Sequence, residues 1–94
     1  MEADKTYVGV DVSSSELVLG ILPSGEVWEA ANDPEGIAAL RNRVEALEPT
    51  LAVLEASGGS EVLVAGELAA AGVPVAVVNP RQVRDFARAT GRLA

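Results

Sequence analysis

Apolar and polar positions alternate with a period of two from Tyr7 to Val12, with Val8, Val10 and Val12 on one side and Gly9 and Asp11 on the other. That pattern predicts a strand with a single buried face. Two further short apolar stretches, Glu16 to Leu22 and Glu26 to Ala31, flank Pro23-Ser24-Gly25, whose residues favour a turn. Three consecutive antiparallel strands are expected. Beyond Ala31 the spacing becomes helical, with Ile37, Leu40, Val44 and Leu47 recurring at intervals of three and four. Asn32 or Asp33 supplies the cap, Pro34 and Glu35 occupy the first turn, and Pro49 is expected to end the helix.

The second half alternates apolar strands with helices. Leu51 to Glu55 is almost wholly apolar and predicts a central parallel strand buried on both faces. Glu61 to Ala71 reads as an alanine-rich helix stopped by Gly72, and Val73 to Val78 as another buried strand stopped by Asn79-Pro80. Right-handed crossovers make these two strands parallel. Pro80 opens a last helix through about Thr90, with Gly91 as its stop. The order β-β-β-α-β-α-β-α predicts an α/β domain on a mixed five-stranded sheet, three antiparallel strands followed by two parallel ones, which differs from a doubly wound sheet.

Ninety-four residues, 49% of them hydrophobic, suffice for one small domain. The sequence contains neither cysteine nor histidine. Disulfides, thiolate metal sites and the usual neutral-pH base are therefore excluded, and any chemistry must rest on carboxylates. No apolar run approaches the ~20 residues that a membrane helix needs, and Met1 to Thr6 lacks the core of a signal peptide, so a cytoplasmic protein with no membrane partner is expected. The formal net charge of −7 argues against a general polyanion binder, but it is unevenly spread. Residues 1–80 carry three basic and thirteen acidic side chains, whereas residues 81–94 carry four arginines and one aspartate.

Two carboxylates stand where a ligand could bind. Asp11 lies near the end of the first strand before Ser13-Ser14-Ser15, and Glu55 ends the fourth strand before two glycines. If those strands are parallel neighbours, both acids project at the sheet edge where open α/β folds place their ligands. Such a pair suits Mg²⁺ or Mn²⁺, hard cations that take carboxylate oxygens and keep several waters. Read structurally, the aspartate is a turn former and the glutamate a helix-start acid; spacing alone leaves both readings open. Gly58 and Gly59, with no following lysine, read as a flexible turn before a phosphate cradle. Arg81, Arg84 and Arg88 recur at helical spacing, Arg92 extends the stripe if the helix continues, and Val83, Phe86, Ala87 and Thr90 take the other side. A row of arginines suits a phosphate backbone, and equally a solvated face that pairs with the domain's many acids. Tyr7 and Trp28 read as packing residues.

These blocks form an ordered series: Tyr7-Val8-Gly9-Val10-Asp11-Val12-Ser13; Asn32 through Gly36 to Leu40; Val53-Leu54-Glu55-Ala56-Ser57-Gly58-Gly59; Leu68 to Ala87, which contains Asn79-Pro80-Arg81-Gln82-Val83-Arg84; and Gly91-Arg92-Leu93-Ala94. The series resembles the N-terminal domain of the RuvC-like DEDD transposases of insertion-sequence family one hundred and ten, relatives of the Piv DNA invertases. The resemblance implies an RNase H-like fold with helices on both sheet faces and a four-acid site for Mg²⁺ or Mn²⁺, with Asp11 as the first acid and Glu55 as the second. It also implies metal-dependent DNA cleavage and strand exchange, with DNA, a structured guide RNA and further copies of the chain as partners of the complete protein. The family's third and fourth acids form an Asp-x-x-Asp pair after the Gly-Arg-Leu-Ala block, and Asp85, which precedes that block, matches neither. The family's nucleophilic serine belongs to a C-terminal domain, and Ser13, Ser14, Ser15, Ser57 and Ser60 do not correspond to it. These 94 residues are thus expected to be an N-terminal part that is inactive by itself.

Two other classes share some of these features. Actin-like sugar kinases and ATPases also begin with a Val-Gly-Val-Asp strand and a hairpin, although Val12 and Ser13 follow Asp11 where that class usually offers glycine to phosphate. A non-enzymatic oligomerisation module is the third reading.

Overall fold

The computed structural model describes residues 5–55 and 58–79. Its elements are β1 (Tyr7–Val12), β2 (Glu16–Leu22), β3 (Val27–Ala31), α1 (Pro34–Leu47), β4 (Leu51–Glu55), α2 (Glu61–Ala70) and β5 (Val75–Val78). They build a five-stranded sheet in the order β3-β2-β1-β4-β5. β1 and β3 flank β2 antiparallel, while β4 runs parallel to β1 and β5 parallel to β4. The mixed α/β architecture expected from the pattern is the one observed.

The period of two in β1 decides which face is buried. Val8, Val10 and Val12 lie on one face, opposite Ile21, Leu19 and Leu17 of β2, and Val8 and Val10 lie beside Ala52 and Leu54 of β4. All eight of these side chains are buried, together with Ile37, Leu40 and Val44 from α1 and Val64 and Leu68 from α2. Burial of each large one, such as Leu19 or Leu54, contributes about 1.5–3 kcal/mol. Both helices sit on this face because both crossovers, β3 to β4 and β4 to β5, step the same way across the sheet and are right-handed. The opposite face has no helix over it among the described residues; the last helix expected, over residues 80–90, lies outside them.

Local chemistry sets the helix ends. Asp33 caps α1, its Oδ1 accepting from the Gly36 N–H at 2.7 Å, with Pro34 at the first helical position. Gly36 is buried, and a Cβ there would collide with the Ala31 carbonyl, so the strand-to-helix corner is drawn tight around it. The stop of α1 comes before the expected Pro49: Glu48 adopts φ 48° and donates its N–H to the Glu45 carbonyl at 3.2 Å. At the far end of α2, Gly72 takes φ +83° and the N–H groups of Gly72 and Val73 return to the carbonyls of Ala69 and Leu68 at 3.0 and 3.1 Å. This satisfies two carbonyls that a helix end leaves open. It also delays β5, which begins at Val75 instead of the expected Val73, because Val73 still belongs to the helix stop and Pro74 has no N–H to give.

The two strands expected to be buried on both faces are not. β4 buries Ala52 and Leu54 while Leu51, Val53 and Glu55 are half-buried, and no residue of β5 is fully buried, Val77 being 48% exposed. Among the described residues, helices cover only the other face. An apolar run is what both coverings require, so the pattern could not tell them apart.

Gly36→Ala is expected to lower stability by about 1–3 kcal/mol despite the better helix propensity of alanine, because the corner must open to admit the methyl group. Asp33→Ala should cost about 0.5–2 kcal/mol through the lost cap. Urea unfolding of both variants measures the two effects.

Candidate metal centre

Asp11 and Glu55 are brought together by register. β1 and β4 run parallel with Gly9 beside Val53 and Val10 beside Leu54, so the next residue in each strand is Asp11 and Glu55. Both follow the pleat onto the face of Gly9 and Val53, opposite the core, at the carboxyl ends of strands spaced about 4.8 Å apart. With Gly9, Val18, Gly20 and Val53 they line an open groove of about 320 Å³. Asp11 is exposed and Glu55 half-buried. The sequence-based expectation that these two acids share one sheet edge holds at the level of strand pairing.

The groove owes its depth to two glycines. Gly9 pairs with Gly20 across β1 and β2, and a Cβ on either would meet nothing within 4 Å. Two cross-strand positions without side chains leave the backbone itself as the floor beside Asp11. Sequence reading placed Gly9 on the polar side but missed Gly20 as its partner, because pairing across the hairpin depends on a register that composition does not state.

The loop after Asp11 is braced. The Ser13 N–H donates to the Glu16 carbonyl at 2.9 Å and the Glu16 N–H to Ser13 Oγ at 3.1 Å. Asn32 then reaches across from the end of β3: its Nδ2 donates to the Ser13 carbonyl at 2.7 Å and its N–H to the Ser15 carbonyl at 3.1 Å. Asn32, weighed above as a helix cap, instead fastens the turn that follows Asp11, and Asp33 does the capping.

The described cations are committed elsewhere. Arg41 pairs with Glu67 at 3.0 Å and so ties α1 to α2. Arg43 pairs with Glu26 at 2.9 Å, and its guanidinium lies 5.6 Å from the centre of the Trp28 ring. Trp28 therefore packs, as expected, against the core and Arg43. Arg81, Arg84, Arg88 and Arg92 lie outside the described residues. Among the described residues no three potential ligands cluster to hold a metal, so Asp11 and Glu55 stand as a pair. No described helix is long and apolar enough to cross a membrane. A second hollow of about 300 Å³, between the end of α1 and the start of β5, is edged by Glu45 and Glu48 at the far end of the sheet from Asp11 and offers no cation of its own.

A family model for DEDD transposases of insertion-sequence family one hundred and ten, described as a transposase, matches residues 8–94. No curated protein matches the sequence significantly. Among solved structures, RuvC of T. thermophilus in complex with a Holliday junction substrate is similar in fold, with a TM-score of 0.61 at 19% identity over 86% of this chain and 68% of that one.

The open floor makes a prediction opposite in sign to that at Gly36. Gly9→Ala or Gly20→Ala should leave the fold intact and raise stability by up to about 1 kcal/mol, since strand glycine loses more entropy on folding than alanine. Thermal unfolding decides, and a loss of stability would show that the groove is already filled.

Proposed function

The chain belongs to the DEDD transposase family of insertion sequence one hundred and ten, and on that premise we propose that Asp11 and Glu55 are the first two acids of a divalent-cation site serving DNA strand cleavage and exchange. One observation carries the assignment: two carboxylates at adjacent positions of parallel neighbours, on the face opposite the core and at the carboxyl edge of the sheet. Asp11 and Glu55 fit Mg²⁺ or Mn²⁺ in donor type, since both offer only oxygen. They fall short in number, so the remaining ligands of a four-acid site must come from elsewhere.

When bound, such cations activate a water or hydroxyl nucleophile and steady the leaving oxygen of a phosphodiester. The chain's own contribution is placement. The β1–β4 ladder fixes the spacing of the acids, and the Ser13–Glu16 and Asn32 bonds fix the turn beyond Asp11. The glycine floor lets a substrate backbone approach the sheet without meeting a side chain.

DNA is the substrate this reading requires, and the Holliday junction held by the RuvC of similar fold supports it. The described surface is rich in acids, and Arg41 and Arg43 are already paired with glutamates. Attraction for phosphate therefore falls to Arg81, Arg84, Arg88 and Arg92. A guide RNA and further copies of the chain are the other partners of this reading, supported by the family membership alone.

Mn²⁺ titrated into the chain should broaden the amide resonances around Asp11 and Glu55 before those near other acids, and Asp11→Asn or Glu55→Gln should each remove that selectivity. Broadening spread evenly over the many surface carboxylates would sink the assignment. Reversing Arg84 and Arg88 to Glu in the transposase should weaken DNA binding at low salt and flatten the log–log salt dependence by about 2, one phosphate contact for each arginine. An unchanged slope would remove the arginines from the interface.

A further inference from the structure

The outer side of α2 does not resemble a solvent face. Val64 and Leu68 bury the helix against the sheet, and its exposed positions are Val62, Leu63, Gly66, Ala69 and Ala70, with Val62 66% and Leu63 63% exposed. None of the five carries a charge or a hydrogen-bonding side chain. The neighbouring α1, packed on the same side of the sheet, exposes Glu35, Asn42 and Glu45. A helix that is apolar on both sides is one that is covered on both sides. Gly66 adds an independent observation. It stands in the middle of α2, where glycine weakens a helix relative to alanine, and a Cβ there would meet nothing within 4 Å. No contact inside the chain requires it, whereas Gly36 is required by the Ala31 carbonyl. A glycine without an internal reason, on an apolar outer face, fits the close approach of another backbone.

The order of the exposed residues indicates whose backbone that is. They lie symmetrically about Gly66, the large Val62 and Leu63 before it and the small Ala69 and Ala70 after it. When α2 is turned on itself about a two-fold axis at Gly66, Val62 meets Ala70, Leu63 meets Ala69, and glycine meets glycine. Every large side chain then falls against a small one, which is the self-complementarity that an isologous contact requires. The charge pattern agrees with it. A net charge of −7 opposes association of the chain with itself wherever acids face acids. In this pairing Glu67 meets Ala65, and Arg41 holds its carboxylate at 3.0 Å.

We propose that two copies of this chain dock through α2, antiparallel about a two-fold axis at Gly66, with Leu63 of each copy seated against Ala69 of the other. Asp11 and Glu55 lie on the opposite face of the sheet from α2, so the pairing leaves both grooves open. The contact stands or falls independently of the cation reading given above. Two helices of ten residues meet at the small end of specific interfaces, so the pair forms and dissociates with concentration.

Analytical ultracentrifugation of the chain between about 1 μM and 1 mM is expected to show a reversible dimer. Leu63→Glu should raise its dissociation constant about 30-fold or more, as the loss of a central contact does. Val27→Glu, at a comparably exposed valine on β3, should leave the constant unchanged. Gly66→Ala should act with opposite signs, raising the melting temperature of the monomer while weakening the dimer. Because the sequence has no cysteine, the register can be read by cross-linking with oxidised glutathione. Gly66→Cys should link to its own copy, and Ala70→Cys, which meets Val62, should not. A chain that stays monomeric over the whole range overturns the proposal and leaves the face to a different partner. A dimer that Leu63→Glu leaves intact, that Val27→Glu weakens as much, or that Gly66→Ala leaves as tight as the parent overturns it too. Should Leu63→Glu not fold, the two cysteine variants decide, and equal cross-linking of both sinks the pairing.

Discussion

The parallel ladder between β1 and β4 is the constraint on which the rest depends. It sits at the middle of the sheet, joins the antiparallel half to the crossover half, and sets Val10 beside Leu54 in the core. Because side chains alternate across the pleat, the same register that buries these two residues turns the next pair, Asp11 and Glu55, to the other face. A slip of one residue would send an acid into the core and a valine or leucine to solvent, so the packing that stabilises the domain also protects the geometry of its acids.

Most of the fold was legible because its signals are local. The valines of β1, the turn at Pro23-Ser24-Gly25 and the Asp33–Pro34 start of α1 act within a few residues, and each described element lies where the pattern put it, to within a residue or two. Expectation and structure part where the cause is not local. The double burial expected of β4 and β5 depended on a covering that a strand's own composition cannot report. The late start of β5 came from the helix stop at Gly72, whose returning hydrogen bonds use up Val73.

The candidate site was legible in its acids and not in the residues around them. Asp11 and Glu55 could be named because a carboxylate ending a strand is an unusual choice in an apolar run. Gly20 and Asn32 could not, since each matters through a partner distant in sequence: Gly9 across the hairpin, and the Ser13 carbonyl in the turn between β1 and β2. The arginine stripe is clear as a pattern and lies outside the described residues, so its role rests on charge alone.

The β1–β4 pairing also joins residues far apart along the chain, Tyr7 meeting Leu51, whereas the hairpins β1–β2 and β2–β3 close over short loops. Closing the long loop demands more chain entropy before any contact rewards it. A chain that has formed its hairpins but not this ladder holds Asp11 in place and Glu55 nowhere near it. The acid pair therefore exists only once the longest-range pairing of the sheet has formed, and a half-folded copy lacks it.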